Sequence, residues 1–215
     1  MRKYFGIHNH TEYSNIRLLD SINRPKDLIK KAIELGLSGI AITDHECLAA
    51  HPIVNRLAED YPDFKIALGN EIYLTNTRDS GQKYYHFLLI AKDELGHRAL
   101  RELSSRAWMC SYYDRGMERV PLLKSELAEI MKQYKGHVMA TTACMGGELS
   151  KLLSKLHIIK ESHLPFDDDE ETVIKEIQNF INYCCEVFGP DDFYIECAPS
   201  SMKDQILINN YLAEV

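Results

Sequence analysis

Short apolar runs alternate with amphipathic stretches along the whole chain, and that alternation leaves few folds open. Residues 4–8, 38–43, 64–74, 84–91, 137–143 and 193–197 read as six strands, the third interrupted by Gly69-Asn70. Helical spacing predicts helices over 25–35, 52–60, 95–110, 124–134 and 148–156. Another should run from the acidic stretch at 167–171 to Phe188, and a last one should cover 202–215. Pro25 suits a first helical turn and Gly36 suits a stop. Strand–helix alternation implies an α/β fold, a parallel sheet with helices outside, either open or barrel-like. In barrels the chemistry sits at the C-terminal ends of strands. Residues 111–123 read as a surface excursion. With no repeat, low-complexity tract or linker, the expectation is one domain over 1–215.

Composition narrows the function. A chain of 215 residues with 45% hydrophobic and 27% charged residues is ordinary for a globular domain. No apolar run approaches a membrane span, so no membrane role is expected. The first residues lack the apolar core of a secretory signal. Six cysteines with no C-x-x-C spacing read as reduced thiols, which implies a cytoplasmic protein. A net charge of -7 argues against gripping nucleic acid by bulk electrostatics. It suits a carboxylate-built site that gathers cations.

Metal-ligand residue types recur where the strands end. His8 and His10 follow the first strand, on one face of an extended segment. Asp44-His45 follows the second, Glu71 lies in the third, His86 in the fourth and Cys144 after the fifth. Each has a plain reading alone. Asp44 could cap a helix, His86 could be a satisfied core histidine, and Cys144 a small buried apolar residue. Glu71 in an apolar strand resists that treatment, because a buried carboxylate is costly unless paired or metal-bound. Five consecutive strands offering such residues point to a metal cluster. The histidines at 51, 97, 137, 157 and 163 receive no role. Imidazole, carboxylate and thiolate together suit zinc, or manganese or iron where oxygen dominates. Close divalent ions hold a phosphate ester, activate water and stabilise the leaving oxygen, so phosphoester hydrolysis is the expected reaction class.

These residues resemble a known family. His8-Asn9-His10-Thr11-Glu12-Tyr13-Ser14, Ala41-Ile42-Thr43-Asp44-His45 and Gly69-Asn70-Glu71-Ile72-Tyr73 are similar to the PHP (polymerase and histidinol phosphatase) superfamily. His86-Phe87-Leu88-Leu89-Ile90-Ala91-Lys92, Thr142-Ala143-Cys144-Met145-Gly146-Gly147-Glu148 and Phe193-Tyr194-Ile195-Glu196 resemble one branch, the PHP domain of bacterial C-family DNA polymerases (DNA polymerase III alpha subunit). The resemblance implies a distorted (β/α)7 barrel with up to three divalent ions. The implied ligands are His8, His10, Asp20, His45, Glu71, His86 and Cys144, with Glu71 bridging two ions. Asp20 follows an apparent insertion, Asn15-Ile16-Arg17. The family's closing Asp-x-His does not occur in this chain, so the barrel is expected to be incomplete at the C-terminus and to lack two ligands. Open edges at the first and sixth strands would then invite self-association. The implied function is a metal-dependent phosphoesterase, either a 3′→5′ proofreading exonuclease or a structural support in DNA replication. Its implied partners are the remainder of the polymerase and, through it, a DNA 3′ end. The alternatives are a stand-alone phosphatase of the histidinol-phosphatase type and a catalytically inactive structural module.

Overall fold

The computed structural model of the chain describes residues 4–16, 19–79, 84–162 and 169–213. Parts of several expectations lie outside those residues: the first three positions, Arg17, Leu18, His163, Asp167, Asp168 and the end of the last expected helix. The elements in chain order are β1 (Phe5–Gly6), α1 (Pro25–Glu34), β2 (Gly39–Ile42), α2 (His51–Glu59), β3 (Lys65–Thr75), β4 (Tyr85–Ala91) and α3 (Glu94–Met109). There follow β5 (Tyr112–Asp114), β6 (Met117–Arg119), β7 (Pro121–Leu123), α4 (Lys124–Met131), β8 (Val138–Thr141), α5 (Glu148–Ser162), α6 (Glu170–Phe188), β9 (Phe193–Tyr194) and α7 (Lys203–Leu212). No helix among the described residues is long and apolar enough to cross a membrane.

One curled sheet runs in the order β1-β2-β3-β4-β8-β9, with β7 paired to the end of β3. The first three strands are parallel, β4 is antiparallel to both β3 and β8, and β9 is parallel to β8. The expected all-parallel sheet is therefore corrected to a mixed one. A parallel crossover needs a helix-length connection. Residues 76–84 are polar and carry no apolar helical pattern, so β3 can only turn back on itself. Two further expectations change. Gly69-Asn70 does not interrupt the third strand; a Cβ at Gly69 would lie 2.5 Å from the Leu89 carbonyl, so glycine lets β3 and β4 close up. Residues 111–123 are more than a surface excursion, since Pro121 and Leu122 are buried in the β7–β3 ladder.

Side-chain alternation sorts the sheet into two faces. Leu74, Phe87, Leu89, Val138 and Ala140 pack outward under α3, α4, α5 and α6 in the largest core cluster. Phe87 meets Phe180 edge-on, ring centroids 6.3 Å apart. Ile40 and Ile42 pack outward against Ile29 of α1 and Val54 of α2. Each of the larger of these, valine, leucine, isoleucine or phenylalanine, contributes about 1.5–3 kcal/mol by leaving water. Inward, Ala41, Leu88, Ile90 and Ala143 form a small apolar floor. The edge strands approach each other closely enough for His8, after β1, to hydrogen-bond Glu196, after β9, at 2.8 Å. Both edge strands are only two residues long.

A four-member hydrogen-bond chain ties α2 and α3 to β3. Arg101 Nη1 donates to His97 Nδ1 (3.0 Å), and His97 Nε2 lies 3.0 Å from His51 Nδ1. His51 Nε2 lies 2.9 Å from the Gly69 carbonyl oxygen. Arginine only donates and a carbonyl only accepts, so both histidines are neutral with the proton on Nε2. Burial lowers His51 from 6.5 to about 4, against the Gly69 hydrogen bond. The unfolded chain thus takes up this proton before the folded one does. Stability from His51 is complete above pH 6.5 and falls as pH drops toward 4, by about 2 kcal/mol at pH 5. Urea midpoints at pH 7 and pH 5 should show that loss in the native chain and a clearly smaller one in His51→Gln. Equal losses would contradict the assignment.

Candidate metal centre

The centre begins with the spacing His8-Asn9-His10. Asn9 points the other way and clamps the end of β1 to β2: its side-chain amide donates to the carbonyls of Gly6 (2.9 Å) and Ala41 (3.0 Å), and its backbone N–H donates to Thr43 Oγ1 (3.0 Å). That turns both histidines inward toward Glu71, which is 0% exposed on β3. Glu71 Oε1 lies 3.3 Å from His8 Nε2 and 2.9 Å from His86 Nδ1. Its Oε2 lies 3.3 Å from His10 Nε2 and 2.7 Å from His45 Nδ1. One buried carboxylate therefore faces four imidazoles. Asp20 reaches His45 Nε2 at 3.3 Å from a side chain 46% exposed, the loosest corner of the cluster. Cys144 Sγ lies 3.7 Å from His86 Nδ1 and 4.0 Å from Glu71 Oε1. The structure thus brings all seven expected residues to one place. His86 arrives there from the start of β4, because that strand runs opposite to its parallel neighbours.

Donor chemistry gives the test of whether cations fit. The Ser14 hydroxyl has one proton, and it goes to Asp44 Oδ1 (2.7 Å), which only accepts. Ser14 Oγ must then accept from His10 Nδ1 (3.0 Å). Burial lowers His10 to about 4, so at neutral pH the ring is neutral and Nε2 carries a lone pair. That lone pair faces the carboxylate, and Glu71 Oε2 accepts no aligned hydrogen bond. Two electron-rich atoms held face to face in a buried site call for a cation between them. Three overlapping triads can each converge on an ion: His8, His10 and Glu71; His10, Asp20 and His45; His45, Glu71 and His86. This is the donor set of a divalent-metal centre.

Supporting groups orient these donors. Asp44, 2% exposed, caps no helix and instead accepts from Thr11 N (2.6 Å), Thr11 Oγ1 (2.8 Å) and Ser14, holding the 11–14 turn under His10. Glu196 accepts from His8 Nδ1 and from Thr141 Oγ1 (2.6 Å), leaving His8 Nε2 aimed at Glu71. Metal-ligating histidines commonly use such a carboxylate on the second nitrogen. Burial opposes charge on His8, but Glu196 and Glu71 lift it to about 10. Burial likewise opposes charge on His86, and Cys144 and Glu71 raise it to about 9. Burial pushes the Glu71 carboxyl up, yet the imidazoles of His45, His8 and His86 beside it hold it well below the usual range. Glu46, beside His45, and Ala143, beside Cys144, both adopt positive φ (55° and 56°), a strained backbone typical of functional sites. Sequence reading gave no role to Glu196 or Ser14, because an orienting partner needs only to be polar and nearby in space.

Gly146 seats the His86 ring. A Cβ there would fall 2.8 Å from the ring's Cγ and Nδ1. Gly146→Ala should therefore push His86 off Glu71 and weaken zinc binding by about tenfold or more. Calorimetric titration checks this, and unchanged affinity would contradict the packing argument.

A curled α/β sheet that gathers imidazoles around a buried carboxylate defines a protein with a candidate divalent-metal site. The chain belongs to the PHP domain family, which matches residues 6–200. It is similar to DNA polymerase YorL of Bacillus subtilis (strain 168) and to the DNA-directed DNA polymerase of Bacillus phage SPbeta, each 41% identical over 228 residues, 98% of this chain and 17% of the relative. It is also similar to DNA polymerase III subunit alpha of Borreliella burgdorferi, 29% identical over 219 residues, 99% of this chain and 17% of the relative. The chain thus spans about a sixth of the length of the relatives it matches.

Proposed function

We propose that this chain is the metal-dependent phosphoesterase part of a replicative DNA polymerase, working in the cytoplasm, and that it removes nucleotides from a DNA 3′ end. The observation that carries the reading is the buried Glu71 carboxylate facing four imidazoles, with a lone pair and an unsatisfied oxygen opposed across the gap. His8, His10, His45, Glu71 and His86 would hold the ions, with Asp20 and Cys144 at the margins. Bound divalent ions would lend Lewis acidity to a phosphoryl oxygen and to the attacking water. Ser14 and Glu196 keep His10 and His8 turned for ligation, and the Leu88, Ile90 and Ala143 floor excludes water from beneath. Zinc suits the His86–Cys144 corner, while manganese or iron suits the His45–Asp20 corner. Residues 1–215 would form the PHP part of a longer polymerase whose remaining region presents the strand.

A second reading is a structural module. It is favoured by the His8–Glu196 contact, which joins the two edge strands without any ion. One experiment separates the readings. Metal-stripped protein is resupplied with zinc or manganese and given a 3′-labelled single strand beside histidinol phosphate. Nucleotide release from the 3′ end supports the proposal. Hydrolysis of the monoester alone indicates a stand-alone phosphatase, and bound metal with neither activity indicates the structural module.

A further inference from the structure

The second notable surface lies beside the metal centre, on the hairpin at residues 112–119. A cavity of about 110 Å³ opens onto Asp20 and His45, and a larger one of about 950 Å³ lies between the hairpin, the start of β4 and α5. Both are lined by Tyr84 and Arg119, so the two spaces meet at that pair. Rings line the way. Tyr84 stacks on Tyr73 (4.9 Å), and Tyr73 stacks on His86 (4.8 Å). The hairpin turns at Arg115-Gly116, both at positive φ, which sets Tyr112 directly across the ladder from Arg119. Tyr85 and Tyr112, each half-buried, add aromatic surface to the larger space.

Charge in that space departs from the rest of the chain. Arg115, Arg119, Lys151 and Lys155 line it against only Asp114 and Glu176, in a chain whose net charge is -7. Asp114 sits 3.9 Å from Arg115, and Glu176 sits 3.8 Å from Lys155. Arg119 has no carboxylate within 4 Å among the described residues. A neutral group positions it instead: its Nη1 donates to Tyr84 Oη at 2.8 Å, with the guanidinium 5.9 Å from that ring's centroid. A held, uncompensated guanidinium beside aromatic rings is the chemistry of phosphate and base recognition on a single strand.

We propose that this groove, from the metal centre over Tyr84 and Arg119 to the hairpin and α5, binds one unpaired nucleic-acid strand. Arg119 and Lys151 would contact phosphates and Tyr112 and Tyr85 would stack bases. Its direction, with the 3′ end at the metal centre, rests on the function proposed above; the binding itself does not. Ring stacking and phosphate contacts of this kind suit an unpaired strand and are tolerant of sequence.

The test is fluorescence anisotropy with a labelled oligothymidylate of about 12 nucleotides, at low salt and with EDTA present. The native chain should bind it, and bind a blunt duplex far more weakly. Arg119→Ala and Lys151→Glu should each weaken binding about tenfold, with a shallower salt dependence. Lys151 is exposed on α5, so Lys151→Glu keeps the test decisive should Arg119→Ala fold poorly. No binding by the native chain, or native affinity in both variants, would overturn the proposal. Because EDTA removes catalysis, a strand that binds but stays intact when metal returns would support the groove and sink the phosphoesterase reading. Cleavage by a chain whose variants bind normally would do the reverse.

Discussion

Glu71→Gln is expected to lower phosphodiester hydrolysis by at least about a hundredfold and to abolish the rise in melting temperature that metal gives the native chain. The substitution preserves volume, so the β3 backbone should persist. What it removes is the single negative charge to which four imidazoles are turned, at 2.7 to 3.3 Å. An amide nitrogen in place of either oxygen would point its own protons at His8 and His86 or at His10 and His45. The shared ligand of two triads would be lost at once. Initial rates on a diester and melting curves with and without zinc read both effects. A variant that still hydrolyses the diester, or still melts higher with metal, would remove Glu71 from the centre of the account.

Asp44→Ala should cost about 2–4 kcal/mol in the metal-free chain and about 10–100-fold in zinc affinity. Asp44 is not among the converging donor groups. Its two oxygens accept three hydrogen bonds, from Thr11 N, Thr11 Oγ1 and Ser14 Oγ, in a site 2% exposed. Alanine supplies no acceptor for any of the three. Thr11 N–H then loses its partner in a fully buried place, and the Ser14 hydroxyl, which shared the same oxygen, turns away. A released Ser14 frees His10 Nδ1 and the His45 backbone N–H, which donates to Ser14 Oγ at 3.2 Å. Stability and metal affinity are therefore coupled through one side chain. Urea unfolding of the stripped protein and zinc titration should both change. An unaltered urea midpoint would show that the 11–14 turn does not depend on Asp44.

Much of this organisation was legible in the sequence. Long amphipathic stretches with clear stops gave α1, α3 and α6, because helical burial repeats over several turns. The candidate ligands stood out because few residue types bind metals, and because Glu71 in an apolar strand has no cheap structural explanation. Strand direction was not legible at β4: a polar link with no Asn-Gly-type turn signal gives little warning of a reversal. β5, β6 and β7 are three residues each, too short for a two-residue period to show. Glu196, Ser14 and the His51–His97 pair escaped notice for another reason. Their roles depend on partners as much as 188 residues away, which only the closed fold brings near. Asp44 was visible as a polar residue ending a strand, but only the fold shows it turned back toward Thr11 rather than forward into a helix.

The most direct test of the central claim, that Glu71 and its imidazoles form a divalent-metal centre, is the metal content of the purified chain beside Glu71→Gln, by elemental mass spectrometry. The account expects about two or more equivalents of zinc, manganese or iron per native chain, and a marked loss in the variant. Background metal in the native chain, after zinc and manganese have been offered, or equal loading in both proteins, would contradict it.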